Sequence, residues 1–239
     1  MRIENSNGDE ITNFDEWAAL YDTKKKRKHW KMHRSAYSTA EFILEQGGAT
    51  YLQDNVSGLV GELVTLERAI PEYEQRFDEF GHGREHDLGI FGSTSTGRSV
   101  FIGLEAKVDE PFGAPAKDAY RAAKAKRLAG KKTNGPERIE RLLALHFADP
   151  VASMWDVRYQ LLYATAGTLA AGADISVLYI LVFETPLIDA DVGNSNKRDY
   201  ENFIKLAGGK DLGRNGNARV HELVLDGKRL LCVYESIEL

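Results

Sequence analysis

The sequence predicts an α/β fold in which one mixed central sheet is flanked by helices. Segments with helical periodicity alternate with runs rich in β-branched and aromatic residues, and no internal repeat or low-complexity linker divides the 239 residues. Hydrophobic residues make up 43% of the chain and charged residues 28%, an ordinary balance for a globular protein with one sizeable core. We therefore expect one domain over residues 1–239.

The first half of the chain predicts a helical start followed by strands. Residues 1–50 are predicted as a helical N-terminal extension that contains the basic run KKKRKHWKMHR. A helix is predicted over 53–68, and Pro71 closes it. Three strand-like segments follow, with the sequences EYEQRFDEF, REHDLGIFG and RSVFIGLEAKV; the loop STSTG joins the last two as a hairpin.

The second half predicts helices, one strongly buried strand and a final hairpin. A basic, alanine-rich helix is predicted over 115–132, followed by helices in PERIERLLALHF and ASMWDVRYQLLYATAGTLAAG. The segment DISVLYILVFET is predicted as a buried strand. Residues 185–239 are predicted to add a helix at 197–207 and a β-hairpin that turns at Asp226–Gly227.

Composition predicts a cytoplasmic protein. Cys232 is the one cysteine, so no internal disulfide can form, and the start MRIENSNGDE lacks the basic and apolar pattern of a signal peptide. The longest apolar region is interrupted by Gly172 and Asp174 and is predicted as a helix followed by a strand, not a membrane span. The net charge of −5 does not itself indicate a nucleic-acid partner, so such binding would depend on local basic patches.

The predicted strand SVFIGLEAKV carries two opposite charges in an otherwise apolar run. Side chains alternate across a strand, so one face is apolar and is predicted to be core. The other face carries Phe101, Gly103, Glu105 and Lys107, and the glycine leaves room for a close approach to the backbone. The apolar face consists of Val100, Ile102, Leu104, Ala106 and Val108.

The preceding strand offers a second acid. In HDLGIFG, Leu88 and Ile90 are predicted to face the core, and Asp87 the opposite side. Pairing through the hairpin would bring Asp87 near Glu105, and two adjacent carboxylates repel unless a cation lies between them. Oxygen ligands favour a hard divalent ion such as Mg²⁺, and Lys107 could position a water or stabilise charge on a phosphate. The alternative is an ordinary Glu–Lys pair on a partly exposed strand.

These residues resemble the PD-(D/E)XK nuclease superfamily, the restriction-endonuclease-like fold. Its core is a helix, a three-stranded antiparallel meander, a helix and a further strand, with an aspartate on one strand and an acidic-x-Lys triplet on the next. Asp87 and Glu105-Ala106-Lys107 match these positions, although His86 stands where many members have proline. The resemblance covers the predicted nuclease-like core, 53–184, and its elements are a helix at 53–68, three strands, a helix at 152–171 and a strand at 174–184, with an inserted basic segment at 115–149.

The resemblance implies a metal-dependent nuclease that hydrolyses DNA phosphodiester bonds with a metal-activated water. Asp87, Glu105 and the carbonyl of Ala106 would hold Mg²⁺ or Mn²⁺, and Lys107 would orient the attacking water. Two further positions match less closely. Glu62, predicted on a helix face with Gly58, Thr65 and Ala69, would assist the metal, or is a plain surface glutamate. Gln160 would support the lysine or the substrate backbone, but Ala164 stands where some branches carry tyrosine, and Tyr163 is one residue early.

Two basic segments are candidates for contacting the phosphates of DNA. They also fit ordinary solvated charge, and Trp30 in the first segment is either a base-stacking residue or packed inward. The candidate residues are Lys25, Lys26, Arg27 and Lys28 in the first segment, and Lys117, Arg121 and Lys124 in the second.

A second class of function stays open at this stage. A catalytically silent protein with the same fold could bind nucleic acid or a partner protein, because fold alone does not establish activity. A homodimer is also open, since enzymes of this fold often cut two strands as dimers. The complete set of Asp87, Glu105 and Lys107 favours the enzyme.

Overall fold

The structure, a computed structural model, describes residues 1–23, 27–149, 151–187 and 189–239. The helices within these residues are α1 (Phe14–Ala19), α2 (Ser35–Leu44), α3 (Gly48–Val60), α4 (Ala116–Leu128), α5 (Gly135–His146), α6 (Tyr159–Ala170) and α7 (Ala190–Leu206). The strands are β1 (Arg2–Ile3), β2 (Val64–Gln75), β3 (Arg84–Thr94), β4 (Ser99–Lys107), β5 (Ile175–Glu184), β6 (Lys210–Asn215), β7 (Ala218–Leu225) and β8 (Lys228–Glu238).

All eight of these strands form one mixed sheet in the order β1-β2-β3-β4-β5-β8-β7-β6. Strands β2, β3 and β4 form an antiparallel meander. Strands β4, β5 and β8 are parallel neighbours in the middle of the sheet, and β7 and β6 continue it antiparallel. The α/β fold with a mixed sheet flanked by helices is therefore confirmed.

The sheet separates two hydrophobic cores. On one face it packs against the N-terminal segment, α2 and α3, with Trp17, Phe42 and Leu52 among the buried residues. On the other face it packs against α5, α6 and α7, with Leu143, Leu161 and Phe203 buried. Because β4 and β5 are covered on both faces, they have almost no solvent-exposed positions. None of the helices within the described residues has the length and apolar run that crossing a bilayer requires.

The helix predicted over 53–68 is wrong at its C-terminal end. Helix α3 ends at Val60, and Gly61 terminates it in the left-handed conformation with a φ of 72°. From Val64 onward the chain is strand β2, where Val64 and Leu66 are buried and Thr65 is exposed. The two-residue alternation favours a strand here. The spacing of three or four residues between Gly58, Glu62, Thr65 and Ala69, which predicted a continued helix, does not correspond to a helical face in the structure.

Three other predicted elements differ in their extent. The helix expected at 152–171 is a 3₁₀ turn at Ala152–Asp156 followed by α6, because Val157 takes an extended conformation between them. The extension predicted as helical at 1–50 begins with the short strand β1 and then contains α1, α2 and the start of α3, and the stretch that the structure describes from Arg27 to His33 forms no helix. The basic helix expected at 115–132 ends at Leu128.

The C-terminal hairpin is confirmed, but it is part of the main sheet. Leu225 pairs with Lys228, and the two turn residues have positive φ values of 50° for Asp226 and 72° for Gly227, as a tight hairpin turn requires. Strand β8 then pairs in parallel with β5 along Ser176–Glu184. The final hairpin therefore extends the central sheet, whereas sequence patterns had predicted it as an addition to the core.

A buried histidine should make the stability of this fold depend on pH. His146 is buried in the second core, where its Nδ1 donates to the carbonyl of Leu142 at 2.7 Å and its Nε2 accepts from the hydroxyl of Thr165. Burial lowers the pKa of His146 to about 4 from 6.5, and the bond to Leu142 opposes this shift. The unfolded chain therefore binds more protons between these two pH values, so the stabilisation is complete above pH 6.5 and is lost as the pH falls towards 4.

We expect the free energy of unfolding to fall by about 3 kcal/mol between pH 6.5 and 4 through this histidine alone. In urea unfolding at a series of pH values, the free energy of unfolding of His146→Met should fall by about 3 kcal/mol less over this pH range than that of the wild type. The control is His82→Gln, because the His82 side chain is 98% exposed and folding does not bury it. If the free energy of unfolding of His146→Met depended on pH as strongly as that of the wild type, His146 would not be the source of the pH dependence.

Candidate functional site

The charged pair of β4 lies in the interior beneath α6. The apolar face predicted for this strand is confirmed, since its residues belong to the core formed with α2 and α3. On the opposite face Glu105 is 2% exposed and Lys107 is 4% exposed. Burying two charges is costly unless they are paired and hydrogen-bonded, so the partners of these side chains define the site.

The Glu105 carboxylate accepts hydrogen bonds from three side chains. Lys107 Nζ donates to Oε1 at 2.6 Å, and it also reaches the carbonyl of Ala106 at 3.2 Å. The Gln160 amide of α6 donates to the same Oε1. The Arg84 guanidinium of β3 donates to Oε2. One buried negative charge is thus held by two cations and an amide.

Asp87 lies at the point where the pairing of β3 and β4 changes. The regular register ends at Leu88↔Leu104, and continuing it by one step would set Asp87 opposite Glu105. The backbone pairing does not continue to this step. The Asp87 side chain binds β4 instead, and its Oδ2 accepts a hydrogen bond from the backbone N–H of Ala106 at 2.8 Å. The Asp87 carboxylate therefore lies against the backbone between Glu105 and Lys107.

Burial dominates the protonation of Lys107. It lowers the pKa of the ammonium group from its usual 10.5, while the negative charges of Asp87 and Glu110 act in the opposite direction. The amine also lies 5.5 Å from the ring centroid of Phe112. Lys107 is consequently a poorly solvated amine whose contacts are the oxygens of Glu105 and Ala106.

Gly103 allows this face of β4 to be covered closely. A Cβ atom added there would lie 2.6 Å from Thr168 Oγ1 and 2.7 Å from His86 Cε1. His86 is fully buried in this space, and neither of its ring nitrogens has a hydrogen-bond partner within the described residues. Burial lowers the pKa of His86 well below its usual value. His86 is thus a neutral part of the packing.

Glu62 lies away from this cluster. It follows the end of α3 in a turn, where Thr96 and Arg98 of the β3–β4 loop donate to its carboxylate. The strand between Arg98 and Glu105 spans roughly 23 Å at about 3.3 Å per residue. The predicted helical face that was to carry Glu62 towards the site does not exist, because α3 has already ended.

The basic residues predicted to contact DNA are placed on the surface or outside the described residues. Lys25 and Lys26 lie outside the described residues. The others are exposed or take part in surface interactions: Arg27 pairs with Asp22, Lys28 is exposed, Lys117 pairs with Asp156, Arg121 pairs with Asp118, and Lys124 lies over the ring of Tyr120. Trp30 packs on Phe14, Tyr21 and Tyr37, which supports the inward-packed alternative.

Sequence reasoning missed two groups at the site. Arg84 precedes Asp87 by three residues, but an ordinary strand arginine gives no signal that it will turn inward. Glu72 lies between two residue pairs, Pro71↔Leu88 and Tyr73↔His86, and therefore sits across from Asp87. Its φ of 52° is unusual for a non-glycine residue and is not readable from sequence.

The N-terminal extension reaches this part of the sheet. The Tyr21 hydroxyl, after α1, donates to Glu72 Oε1 at 2.7 Å. Burial raises the pKa of Tyr21, and the charges of Glu72 and Asp87 raise it further. Arg34, before α2, pairs with Asp109 just beyond the end of β4. The extension is thus attached to β2, the neighbour of β3, and to the segment that follows β4.

The donor set has the chemistry that a hard divalent ion requires. Asp87 and Glu105 supply carboxylate oxygens, and Ala106 supplies a backbone carbonyl beside them. Within the described residues no group of three His, Cys, Asp or Glu side chains is arranged to hold a metal, so the backbone carbonyl would be an essential ligand. These oxygens are of the type that a divalent ion prefers, but Arg84 and Lys107 already neutralise Glu105.

Fold and site together describe an α/β protein with an enclosed cluster of charges where β3 and β4 meet. The chain belongs to the family described as "Domain of unknown function (DUF6946)", whose model matches residues 10–238. No curated protein matches the chain significantly, and no solved structure does.

The close packing at Gly103 can be tested by adding a methyl group. We expect Gly103→Ala to lower the free energy of unfolding by about 1–3 kcal/mol, because the new Cβ would overlap Thr168 and His86. Urea unfolding measures the change. The control Gly193→Ala, on α7 with no atom within 4 Å of the added Cβ, should instead stabilise by about 0.5–1 kcal/mol. If Gly103→Ala were as stable as the wild type, the close approach would not exist.

Proposed function

We propose that this protein is a metal-dependent nuclease of the PD-(D/E)XK type that hydrolyses phosphodiester bonds in DNA. The observation that carries the proposal is the buried triplet Glu105-Ala106-Lys107 with the Asp87 carboxylate bonded to its central amide. An inert strand has no need to bury a lysine and a glutamate beside a half-buried aspartate, because each buried charge costs stability.

The order and direction of the elements support the proposal. A helix (α3), an antiparallel meander (β2–β4), a helix (α6) and a strand (β5) parallel to β4 follow one another in the order of the restriction-endonuclease-like core. Helices α4 and α5 form an insertion between β4 and α6. In this proposal the remaining strands, β6–β8, widen the core sheet on the far side of β5.

The proposed roles follow from the contacts. Asp87, Glu105 and the Ala106 carbonyl would hold Mg²⁺ or Mn²⁺, which supplies a low-pKa water as nucleophile and neutralises phosphate charge when bound. Lys107 Nζ, held between Glu105 and the Ala106 carbonyl, would orient the attacking water and donate to the phosphate. Gln160 would fix the orientation of the Glu105 carboxylate.

DNA is the proposed partner, and its backbone would lie near the basic helix α4. The segment from Val108 to Pro115 leads directly from Lys107 to the start of α4, so Lys117, Arg121 and Lys124 follow the site closely along the chain. Their positive charges lie on a surface of a chain that is acidic overall, as local phosphate binding would require.

One observation favours the rival function, a catalytically silent protein that binds nucleic acid or a partner protein. Glu105 already has Arg84, Lys107 and Gln160 as partners, so its charge is compensated without a metal. In such a protein the cluster would serve only to stabilise the fold, and divalent ions would have no effect on it.

Metal binding separates the two functions. Thermal melting with increasing Mg²⁺ or Mn²⁺ should raise the melting temperature of the wild type, and Asp87→Asn should abolish the shift. The wild type should cleave single- or double-stranded DNA in the same buffers. If neither ion changed the melting temperature of the wild type and the DNA stayed intact, the nuclease proposal would be wrong and the catalytically silent binding protein would be favoured.

Lys107 should be needed for cleavage but not for metal binding. We expect Lys107→Met to lower turnover by at least about 100-fold, because the group that orients the water and stabilises the phosphate charge is lost. The melting shift with Mg²⁺ should persist. The control Lys210→Met removes an exposed cation on β6, the strand at the far edge of the sheet, and should leave turnover within about threefold, since exposed charges contribute little individually. If Lys107→Met cut DNA as fast as the wild type, the role of the lysine would be wrong.

A further inference from the structure

Arg84 is a cation at the site that has no role in the proposed reaction as described above. Its side chain is 9% exposed, and its guanidinium donates to Glu105 Oε2. The stem lies against α6, where a Cβ atom at Gly167 would be 2.7 Å from Arg84 Cβ. The guanidinium carbon lies 5.0 Å from the ring centroid of Tyr163. Arg84 is therefore enclosed between the sheet and α6, directly beside a proposed metal ligand.

The contact with Glu105 uses only part of what Arg84 can donate. A guanidinium has five N–H donors, and the Arg84 Nε is buried without a hydrogen-bond partner within the described residues. Leaving a buried donor unpaired costs stability. The group is therefore suited to an additional or alternative anion at this position, and planar guanidinium groups bind phosphate oxygens well.

Arg84 also competes with any cation for Glu105. Arginine stays protonated, so it cannot release Oε2 by losing a proton, and it must move aside before an ion can bind there. Lys107 occupies the other oxygen, Oε1, at 2.6 Å. An incoming divalent ion would have to approach Oε2 against the charge of the guanidinium.

We propose that Arg84 exchanges partners during the reaction: it neutralises Glu105 in the metal-free protein and moves to the phosphate of the bound DNA when a divalent ion takes Oε2. This inference rests on the proposed nuclease function. It assigns Arg84 two effects of opposite sign, since it weakens the binding of the metal and strengthens the binding of the substrate in the transition state. A purely structural arginine would not produce this combination.

The test is to measure both effects in Arg84→Met. Calorimetric titration should show Mg²⁺ binding about tenfold or more tighter than in the wild type, because a competing close charge has been removed. At saturating Mg²⁺ the turnover on DNA should fall about 100-fold, the usual loss for one donor to a developing negative charge. Arg84→Lys keeps the charge and should retain a metal affinity close to that of the wild type, while it restores turnover only in part.

The outcomes separate this inference from the proposed function. Wild type that binds Mg²⁺ and cleaves DNA, with unchanged metal affinity in Arg84→Met, would overturn the exchange and leave the nuclease proposal intact. Tighter metal binding with unchanged turnover would also overturn it, because Arg84 would then not contact substrate. If neither the wild type nor the variant bound Mg²⁺ or Mn²⁺ or cut DNA, the nuclease function itself would fail.

A measurement on the wild type covers the case in which Arg84→Met does not fold. The Nε–H resonance of Arg84, assigned by its absence from the spectrum of Arg84→Lys, should shift on titration with Mg²⁺. The Mg²⁺ concentration at which the resonance has shifted halfway should equal the concentration at which calorimetry shows half of the metal sites filled. A resonance that does not change while the metal site fills would show that the guanidinium stays on Glu105, and would overturn the exchange.

Discussion

The buried carboxylate of Glu105 is the constraint on which the rest of the site depends. A carboxylate in the interior is stable only when cations and hydrogen-bond donors surround it, and three elements supply them. Strand β3 contributes Arg84, β4 contributes Lys107 and α6 contributes Gln160. The charge of Glu105 therefore links β3, β4 and α6 through side-chain contacts, and any change in that charge acts on all three elements.

In the proposed function, one cluster would serve both stability and chemistry. The groups that neutralise Glu105 in the interior are those that a phosphodiesterase needs near a scissile phosphate, namely an amine and a guanidinium. The Asp87 carboxylate and the Ala106 carbonyl add oxygen atoms next to Glu105 and Lys107 along β4. In the proposed reaction a divalent ion replaces part of the internal compensation, so that the cations become available to the substrate.

The N-terminal extension contains, besides its basic run, side chains that bind acidic residues near the site. Tyr21 is anchored on Glu72, which lies across from Asp87, and Arg34 is anchored on Asp109 just after β4. Aromatic packing of Trp30 on Tyr21 joins these two anchors. The extension is thus part of the surroundings of the acids, although residues 24–26 lie outside the described chain.

The sequence by itself determined the alternation of β4, the β3–β4 hairpin and the Asp226–Gly227 turn. Each depends on neighbours along the chain: side-chain periodicity for the strand, and backbone conformations that glycine favours for the turns. The end of α3 before Glu62 is also a local feature, because Gly61 and the alternation from Val64 favour it, but only the tertiary structure decided that Glu62 contacts the β3–β4 loop. The approach of Arg84 to Glu105, and of Glu72 to Asp87, was likewise decided there. These contacts depend on which strands pair and on a backbone kink with positive φ, and local residue patterns carry no information about either.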